Sequence, residues 1–524
     1  MWPRRGERLV PAVSGLLLAL SFPPLHLLLP PFVGLVPFAL WVHALPSGVE
    51  GRRSAVRGSI AFGTVYFGLT FYWILVALVW FTSLAILAYF AALVGLVAIA
   101  VFFGWALHRS LHVVRVPLWL ALPVTWTAAE WLRAHLPSTI AFPWLGLGTS
   151  LTGYPELVGI AELVGSRGVT FWIALVNGLI AGVVLALRAR EGWLRRAAVA
   201  AMVTVLPMAW GVWRADTMET RDAARVVVAQ PNIPEHVKLN TLAGLDSTFA
   251  SLRILMPQIP PGSADLVVMP EVALRIFPES EQQAGWLYPI QEWSRFLGIP
   301  ILMGALGFDG DLAGEFTPYN SAFVVDESGL WDYRYDKRYL VPFVERVPFL
   351  PPEWFGEFRY LGGFGVGEGW PMAEVNGTSY GVLVCYESSY PEGARSFRRE
   401  GADVLLNITN DAWYGREPLY ARTTALWQHP AHMVMRAIEN RMGVARSANT
   451  GISLFVDPIG RVSNPIGLFE ADVSAAVVQT TDILTFYTRY GDLLGSGSAL
   501  GAVLLVLASM RLARPSLDPL ESDV

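Results

Sequence analysis

Apolar residues in this chain come in blocks, and that distribution limits its fold more than any motif does. Residues 1 to about 214 are nearly continuous apolar segments. From about 222 to 482 charges occur throughout, and one more apolar run, LLGSGSALGAVLLVLASMRLAR, closes the chain before a short polar tail. A hydrocarbon core of about 30 Å is crossed by about 20 apolar residues in a helix. Stretches near 8–22, 27–46, 57–80, 82–107, 116–134, 168–188, 195–213 and 494–512 approach that requirement. The expected plan is therefore seven transmembrane helices in 1–214, an extracytoplasmic globular domain over 222–482, a transmembrane helix at 494–512 and a cytoplasmic tail at 513–524. Span 1 runs into Phe-Pro-Pro with no small-residue cleavage site after it, so a membrane segment is expected rather than a signal peptide.

Basic residues in short loops give the orientation. Arg4, Arg5 and Arg8 precede span 1; Arg52, Arg53 and Arg57 follow span 2; Arg109 and Arg115 follow span 4. Arg188, Arg190, Arg195 and Arg196 separate spans 6 and 7, and Arg511 and Arg514 follow span 8. With eight spans all five clusters fall on one side, the cytoplasmic one. The opposite loops carry little beyond Arg133 and Arg167. The apolar external loop at about 135–167 is broken by Pro and Gly. It reads either as an ordinary re-entrant loop or as a lid, with Phe142, Trp144 and Tyr154 at headgroup depth.

Several classes are disfavoured. Charged residues make up only 15% of the chain and the formal charge is -5, which argues against a nucleic-acid partner. One cysteine excludes internal disulfides and multi-cysteine zinc sites. His429 and His432 have helical spacing but no third metal ligand is apparent, so no metal is expected. The stretch GGFGVGEGW (362–370) lacks the flanking strand and helix of a phosphate cradle, and no cofactor is expected. Glu130 is the notable acid inside a span, read as interfacial. A transport pathway would usually need more such charges, which disfavours a transporter or receptor.

In the globular part, β-branched runs at 225–230, 265–271, 300–306, 320–326, 379–387, 402–410 and 451–457 read as strands. Stretches near 241–256, 281–297 and 419–442 read as helices, giving an α/β sheet without an internal sequence repeat. Glu271, Lys337 and Cys385 each stand at a strand end, where sites form in open α/β sheets. An acid, an ammonium and a thiol together suit nucleophilic catalysis: Glu271 as base for the thiol, Lys337 and the Tyr386 amide at the oxyanion. Ser389 and Pro391 read as the N-cap and first turn of a following helix. Glu345 is a second acid near Lys337. Asn407, Asn410 and Trp413, around Asp411 in NITNDAWYG, read as pocket residues or a turn.

The motifs MPE, YDKRYLVPFVERVPF, CYES and NITNDAWYG resemble those of the nitrilase, or carbon–nitrogen hydrolase, superfamily. Together with the multi-span block, the FPWL loop, the QPNIP entry to the globular domain and the final anchor, the chain is similar over nearly its whole length to the membrane-bound apolipoprotein N-acyltransferases of bacterial envelopes. That resemblance implies an αββα sandwich, a Glu271–Lys337–Cys385 triad, Glu345 in support, and Tyr386 and Glu387 flanking the nucleophile. It also implies transfer of an acyl chain from a phospholipid, with phosphatidylethanolamine as donor, through a cysteine thioester to the N-terminal amine of a diacylglyceryl-cysteine apolipoprotein. The expected location is the bacterial inner membrane. A membrane-tethered amidase or nitrilase is the alternative sharing the same residues. Two positions depart from the family pattern: Val344 before Glu345, where relatives often have Gly, and Leu239 after Lys238, where relatives often have Trp. Phe343, Phe349, Trp354 and Phe355 are expected, with the 135–167 loop, to shield the thioester from water.

Overall fold

The computed structural model describes residues 6–79, 85–137, 140–312, 314–342, 344–345 and 363–512. The expected shield residues Phe343, Phe349, Trp354 and Phe355 and the basic residues Arg4, Arg5 and Arg514 lie outside the described residues.

The N-terminal half is helical. Four described helices are long and apolar enough to cross a membrane: 85–114, 161–189, 193–217 and 493–512. Helices Gly6–Ala19, Val49–Phe71 and Leu118–His135 pack beside them. The expected helix at 27–46 forms as two pieces, Pro30–Val33 and Val36–His43, because each has a proline in its first turn, Pro30 and Pro37, and proline cannot donate to a preceding turn. Leu87, Val94, Val205, Leu206, Leu500 and Leu504 are all more than half exposed on the outer faces of these helices. A contiguous apolar exterior of that kind belongs against lipid rather than water.

The second half is a sandwich of two six-stranded sheets. The first runs β12-β1-β2-β3-β4-β5 and the second β11-β10-β9-β8-β7-β6. Their strands are β1 Arg221–Gln230, β2 Leu266–Val268, β3 Ile301–Gly310, β4 Phe316–Asp326, β5 Gly329–Asp336, β6 Ala373–Val375, β7 Thr378–Val384, β8 Val404–Thr409, β9 Gly443–Ala448, β10 Leu454–Val456, β11 Val462–Ser463 and β12 Asp472–Thr480. Side chains alternate across a pleat, and the β1 and β2 residues divide accordingly. Val226, Val228, Leu266 and Val268 join Val382, Leu406 and Val444 between the sheets. Val227, Ala229, Val267 and Met269 instead meet Leu245, Phe249 and Ile290 from the outer helices Thr241–Leu255 and Tyr288–Leu297. Helices Pro391–Glu400 and Ala425–Asn440 accompany the second sheet, completing the αββα arrangement.

Each sheet has a parallel trio, β1-β2-β3 or β7-β8-β9, followed by two antiparallel strands and flanked by one. The repeat absent from the sequence is thus present in the pairing pattern. The parallel trios set β2, β7 and β8 to end toward one side, where the site forms.

Candidate active site

β2 stops at Val268, three residues before Glu271 rather than at it, and Pro270 intervenes without an amide hydrogen to donate. Lys337 directly follows β5 and Cys385 directly follows β7. The segment Cys385–Ser389 makes a 3₁₀ turn, and the next helix begins at Pro391 with Tyr390, not Ser389, in the cap position. Two residues here have left-handed backbones, Cys385 at φ +53° and Val272 at φ +42°. For residues other than glycine this costs about 1–3 kcal/mol each, and such strain concentrates at functional sites.

Lys337 is buried between two carboxylates, with its Nζ 3.2 Å from Glu271 Oε1 and 2.9 Å from Glu345 Oε1. Asn320, a residue sequence reasoning passed over, donates from Nδ2 to the same two oxygens at 2.8 and 2.9 Å. The remaining Glu271 oxygen accepts from the Asn410 amide at 2.9 Å, and the remaining Glu345 oxygen from the Val341 amide at 2.8 Å. Burial pushes the Glu271 pKa up, but the Lys337 charge and hydrogen bonds from Asn320, Lys337 and the Cys385 thiol outweigh it, leaving the carboxyl below its ordinary value. Burial alone would lower Lys337, yet Glu271 and Glu345 hold it well above the usual lysine range. The thiol of Cys385 is pushed up by burial and then by Glu271, against the opposing pull of Lys337. These shifts favour a carboxylate, an ammonium and a neutral thiol side by side.

The other expected residues divide. Glu387 faces away from the chemistry: it accepts from the amides of Val384 (2.7 Å), Arg338 (2.7 Å) and Tyr339 (3.2 Å) and from the Tyr335 hydroxyl (2.9 Å). It thereby ties the residues after Lys337 to the turn that carries Cys385, and burial pushes its pKa up to about 7. The Tyr386 hydroxyl donates to the Ala141 carbonyl at 3.1 Å, joining the turn that carries Cys385 to the 135–167 loop. Asn410 and Trp413 line the cavity. Asn407 does not; it lies buried beneath, donating to Leu383 O and accepting from Arg446.

Trp144 is fully buried within the protein. Its ring packs 5.0 Å from His429 and 6.1 Å from Tyr386, and its indole N–H donates to Gln428 Oε1 at 3.1 Å. Trp73 donates to the same oxygen at 3.0 Å. An indole N–H needs an acceptor when buried, and Gln428 supplies one from the sandwich. Glu130 is likewise interior, accepting from Trp126 at 2.9 Å and the Leu147 amide at 2.8 Å. These tertiary partners left no local signal in the sequence.

Glu271, Lys337, Glu345 and Cys385 all line one cavity of about 1270 Å³, larger than the roughly 300–1,000 Å³ of ordinary small-molecule sites. Its far wall is apolar and comes from the helical half: Trp73, Ile74, Leu78, Leu96, Ile99 and Phe142. Lys238 and Arg275 also line it, and neither has a carboxylate within ion-pair distance among the described residues. Lys238 Nζ donates to the Glu271 carbonyl at 3.2 Å, and Arg275 to the Leu239 carbonyl at 3.2 Å. No group of three metal-ligating side chains occurs among the described residues.

A sandwich of this topology, with acid, amine and thiol at its strand ends, defines a carbon–nitrogen hydrolase domain, here joined to a helical membrane block. The family model "Carbon-nitrogen hydrolase" matches residues 225–485, and "Apolipoprotein N-acyltransferase N-terminal domain" matches 14–179. An apolipoprotein N-acyltransferase of Geobacter metallireducens is 30% identical, covering 97% of this chain and 96% of its own. One of Ralstonia nicotianae is 31% identical over 95% of this chain and 91% of its own. Among solved structures, an amidase from Nesterenkonia sp. aligns at 19% identity and a TM-score of 0.32, covering 51% of this chain and 93% of that one. The chain belongs to the apolipoprotein N-acyltransferase family.

Proposed function

We propose that this membrane-associated acyltransferase acylates the N-terminal amine of an apolipoprotein in two steps, with Cys385 as nucleophile and a phospholipid as donor. The observation that carries this reading is the single cavity in which a thiol, a carboxylate and an ammonium face an apolar wall built by membrane helices. An amidase acting on small soluble amides has no use for such a wall. Lys238 and Arg275, which form no ion pair with a carboxylate among the described residues, suit a phosphate-bearing donor.

In the first step Cys385 Sγ attacks the ester carbonyl while its proton passes to Glu271. The developing oxyanion is met by the Lys337 ammonium. Collapse breaks the carbon–oxygen bond, and Glu271 returns the proton to the departing lysophospholipid alcohol. In the second step the α-amine of the diacylglyceryl cysteine attacks the thioester carbonyl. Glu271 takes the amine proton, the carbon–sulfur bond breaks, and the sulfur recovers a proton from Glu271. Covalent catalysis divides one difficult transfer into two, and the enclosed site disfavours hydrolysis of the thioester.

In this reading phosphatidylethanolamine is the donor, the chain lies in the bacterial inner membrane through eight spans, and the sandwich faces the extracytoplasmic side. The basic clusters at the opposite helix ends support that orientation. The test is intact-mass spectrometry of the detergent-purified full chain mixed with phosphatidylethanolamine. An acyl mass on Cys385, removed by hydroxylamine and passed to a diacylglyceryl-cysteine peptide, is expected. Turnover of soluble amides with no lipid adduct would favour the amidase instead.

A further inference from the structure

The nucleophile turn has one contact that the two-step chemistry leaves unused. His429, fully buried on helix Ala425–Asn440, places Nε2 3.0 Å from the backbone carbonyl of Cys385 and Nδ1 2.7 Å from Asp411 Oδ1. Carbonyl and carboxylate oxygens both only accept, so the two contacts are hydrogen bonds at once only when both ring nitrogens carry protons. Burial lowers the ring's pKa, while the Asp411 charge and the hydrogen bonds to Asp411 and the Cys385 carbonyl oppose that shift. Asp411 is itself fixed, with Thr409 Oγ1 donating to Oδ1 at 3.0 Å and Arg446 Nη2 to Oδ2 at 2.7 Å. The ring therefore has little freedom to turn away from Cys385. Both ring nitrogens are occupied, which leaves none for a metal ion.

Cys385 needs such an anchor. Its φ of +53° is a backbone state that a residue with a Cβ leaves readily unless its surroundings impose it. Rotation of the Cys385 peptide would swing the Cα–Cβ bond and carry Sγ away from Glu271. His429 contacts the carbonyl rather than the sulfur, so it acts through the backbone. The preceding residue on the same helix, Gln428, holds Trp73 and Trp144 of the helical half. One helical turn thus fixes the nucleophile peptide and the apolar wall together.

The geometry points to His429 as the positioning residue of the nucleophile: its Nε2–H, braced by Asp411 and Arg446, anchors the Cys385 carbonyl and so aims Sγ at the acyl carbon. This rests on the reading of Cys385 as nucleophile. The test is single-turnover acylation of the full chain by phosphatidylethanolamine in detergent, read by intact mass, for H429Q and H429M. Glutamine places an amide N–H where Nε2 stood; methionine has similar length and no donor. H429M should acylate on the order of 10²-fold more slowly than wild type, the scale of a small misplacement of a reacting atom. Its lipid KM should be unchanged, and H429Q should recover most of the rate at an equal melting temperature. A wild-type rate in H429M, or an H429Q rate as low as that of H429M, overturns the inference. If H429M does not fold, H429N takes its place in the comparison with H429Q, since its shorter amide reaches Asp411 but not the carbonyl. A wild-type chain that never forms the adduct overturns the thioester reading as well, whereas normal wild-type acylation that tolerates loss of the donor overturns this inference alone.

Discussion

At the scale of single residues, burial first and the Glu271 charge second raise the pKa of the Cys385 thiol, against the opposing charge of Lys337. The Glu271 carboxyl is held below its ordinary range and the Cys385 thiol above it, so in the proposed reaction attack is coupled to proton transfer. Replacing Cys385 by Ala should abolish the acyl adduct, as intact mass would show. Glu271→Gln keeps the shape but removes the base, and single-turnover acylation should fall about 10²–10⁴-fold. The pH profile follows from the signs. A free thiol titrating near 8.5 would speed alkylation through that range; with its pKa raised, Cys385 should alkylate with iodoacetamide slowly and show no rise there. A carboxyl whose folded pKa is depressed contributes stability that is fully present above the unfolded value of about 4.3. That contribution disappears as pH falls through the folded value. The share of stability due to Glu271 should therefore be intact at neutral pH and lost only in strong acid, which thermal unfolding across an acid series would check.

At the scale of elements, close approaches place the acid and the nucleophile. Gly304 on β3 runs directly beneath the Glu271 turn: an added Cβ would lie 2.5 Å from the Pro270 carbonyl oxygen and 2.7 Å from Glu271 Cα. Gly304→Ala should push Glu271 out of register and lower acylation by roughly 10²-fold, with normal membrane insertion as the control. Glu387 accepts from four donors, so Glu387→Gln turns an N–H toward another donor. A loss of about 1–3 kcal/mol is expected, read from the thermal midpoint, together with slower acylation because Lys337 and Cys385 are no longer tied. Glu271 and Cys385 were legible because each closes a short apolar run that reads as a buried strand, whereas Lys337 follows the polar stretch Tyr-Arg-Tyr-Asp, which no strand reading covered. Glu345 was legible as a second acid close in sequence to Lys337, and the motif resemblance gave it a supporting role. Asn320 looked like an ordinary strand opening, and His429 like half of a metal pair, because their partners lie 49 and 44 residues away in sequence. The partner of Trp144 was not legible because nothing local announces Gln428, 284 residues further on. The edge strands β5, β6, β11 and β12 were missed since pairing rather than pattern defines them, and β11 has only two residues; the central strand β9, GVARSA, was missed because Arg446 and small residues interrupt its apolar character.

At the scale of the whole molecule, the cavity belongs to neither half alone. The sandwich contributes the chemistry, and helices 73–78 and 85–109 contribute the apolar wall. Leu96→Arg on that wall should suppress acylation by long-chain phospholipid while sparing a short-chain activated ester, and comparing the two donors measures the wall's share. A sandwich severed from residues 1–217 would lose Trp73, Phe142 and Trp144 from around the nucleophile, so the membrane half completes the reaction chamber as well as tethering it. The block pattern of apolar residues made both halves visible from the start. It could not show that they share a site, because that depends on contacts such as Tyr386 to Ala141 across 245 residues.

The protonated, enclosed state of Cys385 also bears on its chemical survival. Sulfenic acid formation and mixed-disulfide exchange both begin from an accessible thiolate. A sulfur that becomes nucleophilic only when an acyl group is in place would pass unharmed through surroundings rich in oxidants. An enzyme built this way could keep its one irreplaceable atom reduced without a dedicated reductase.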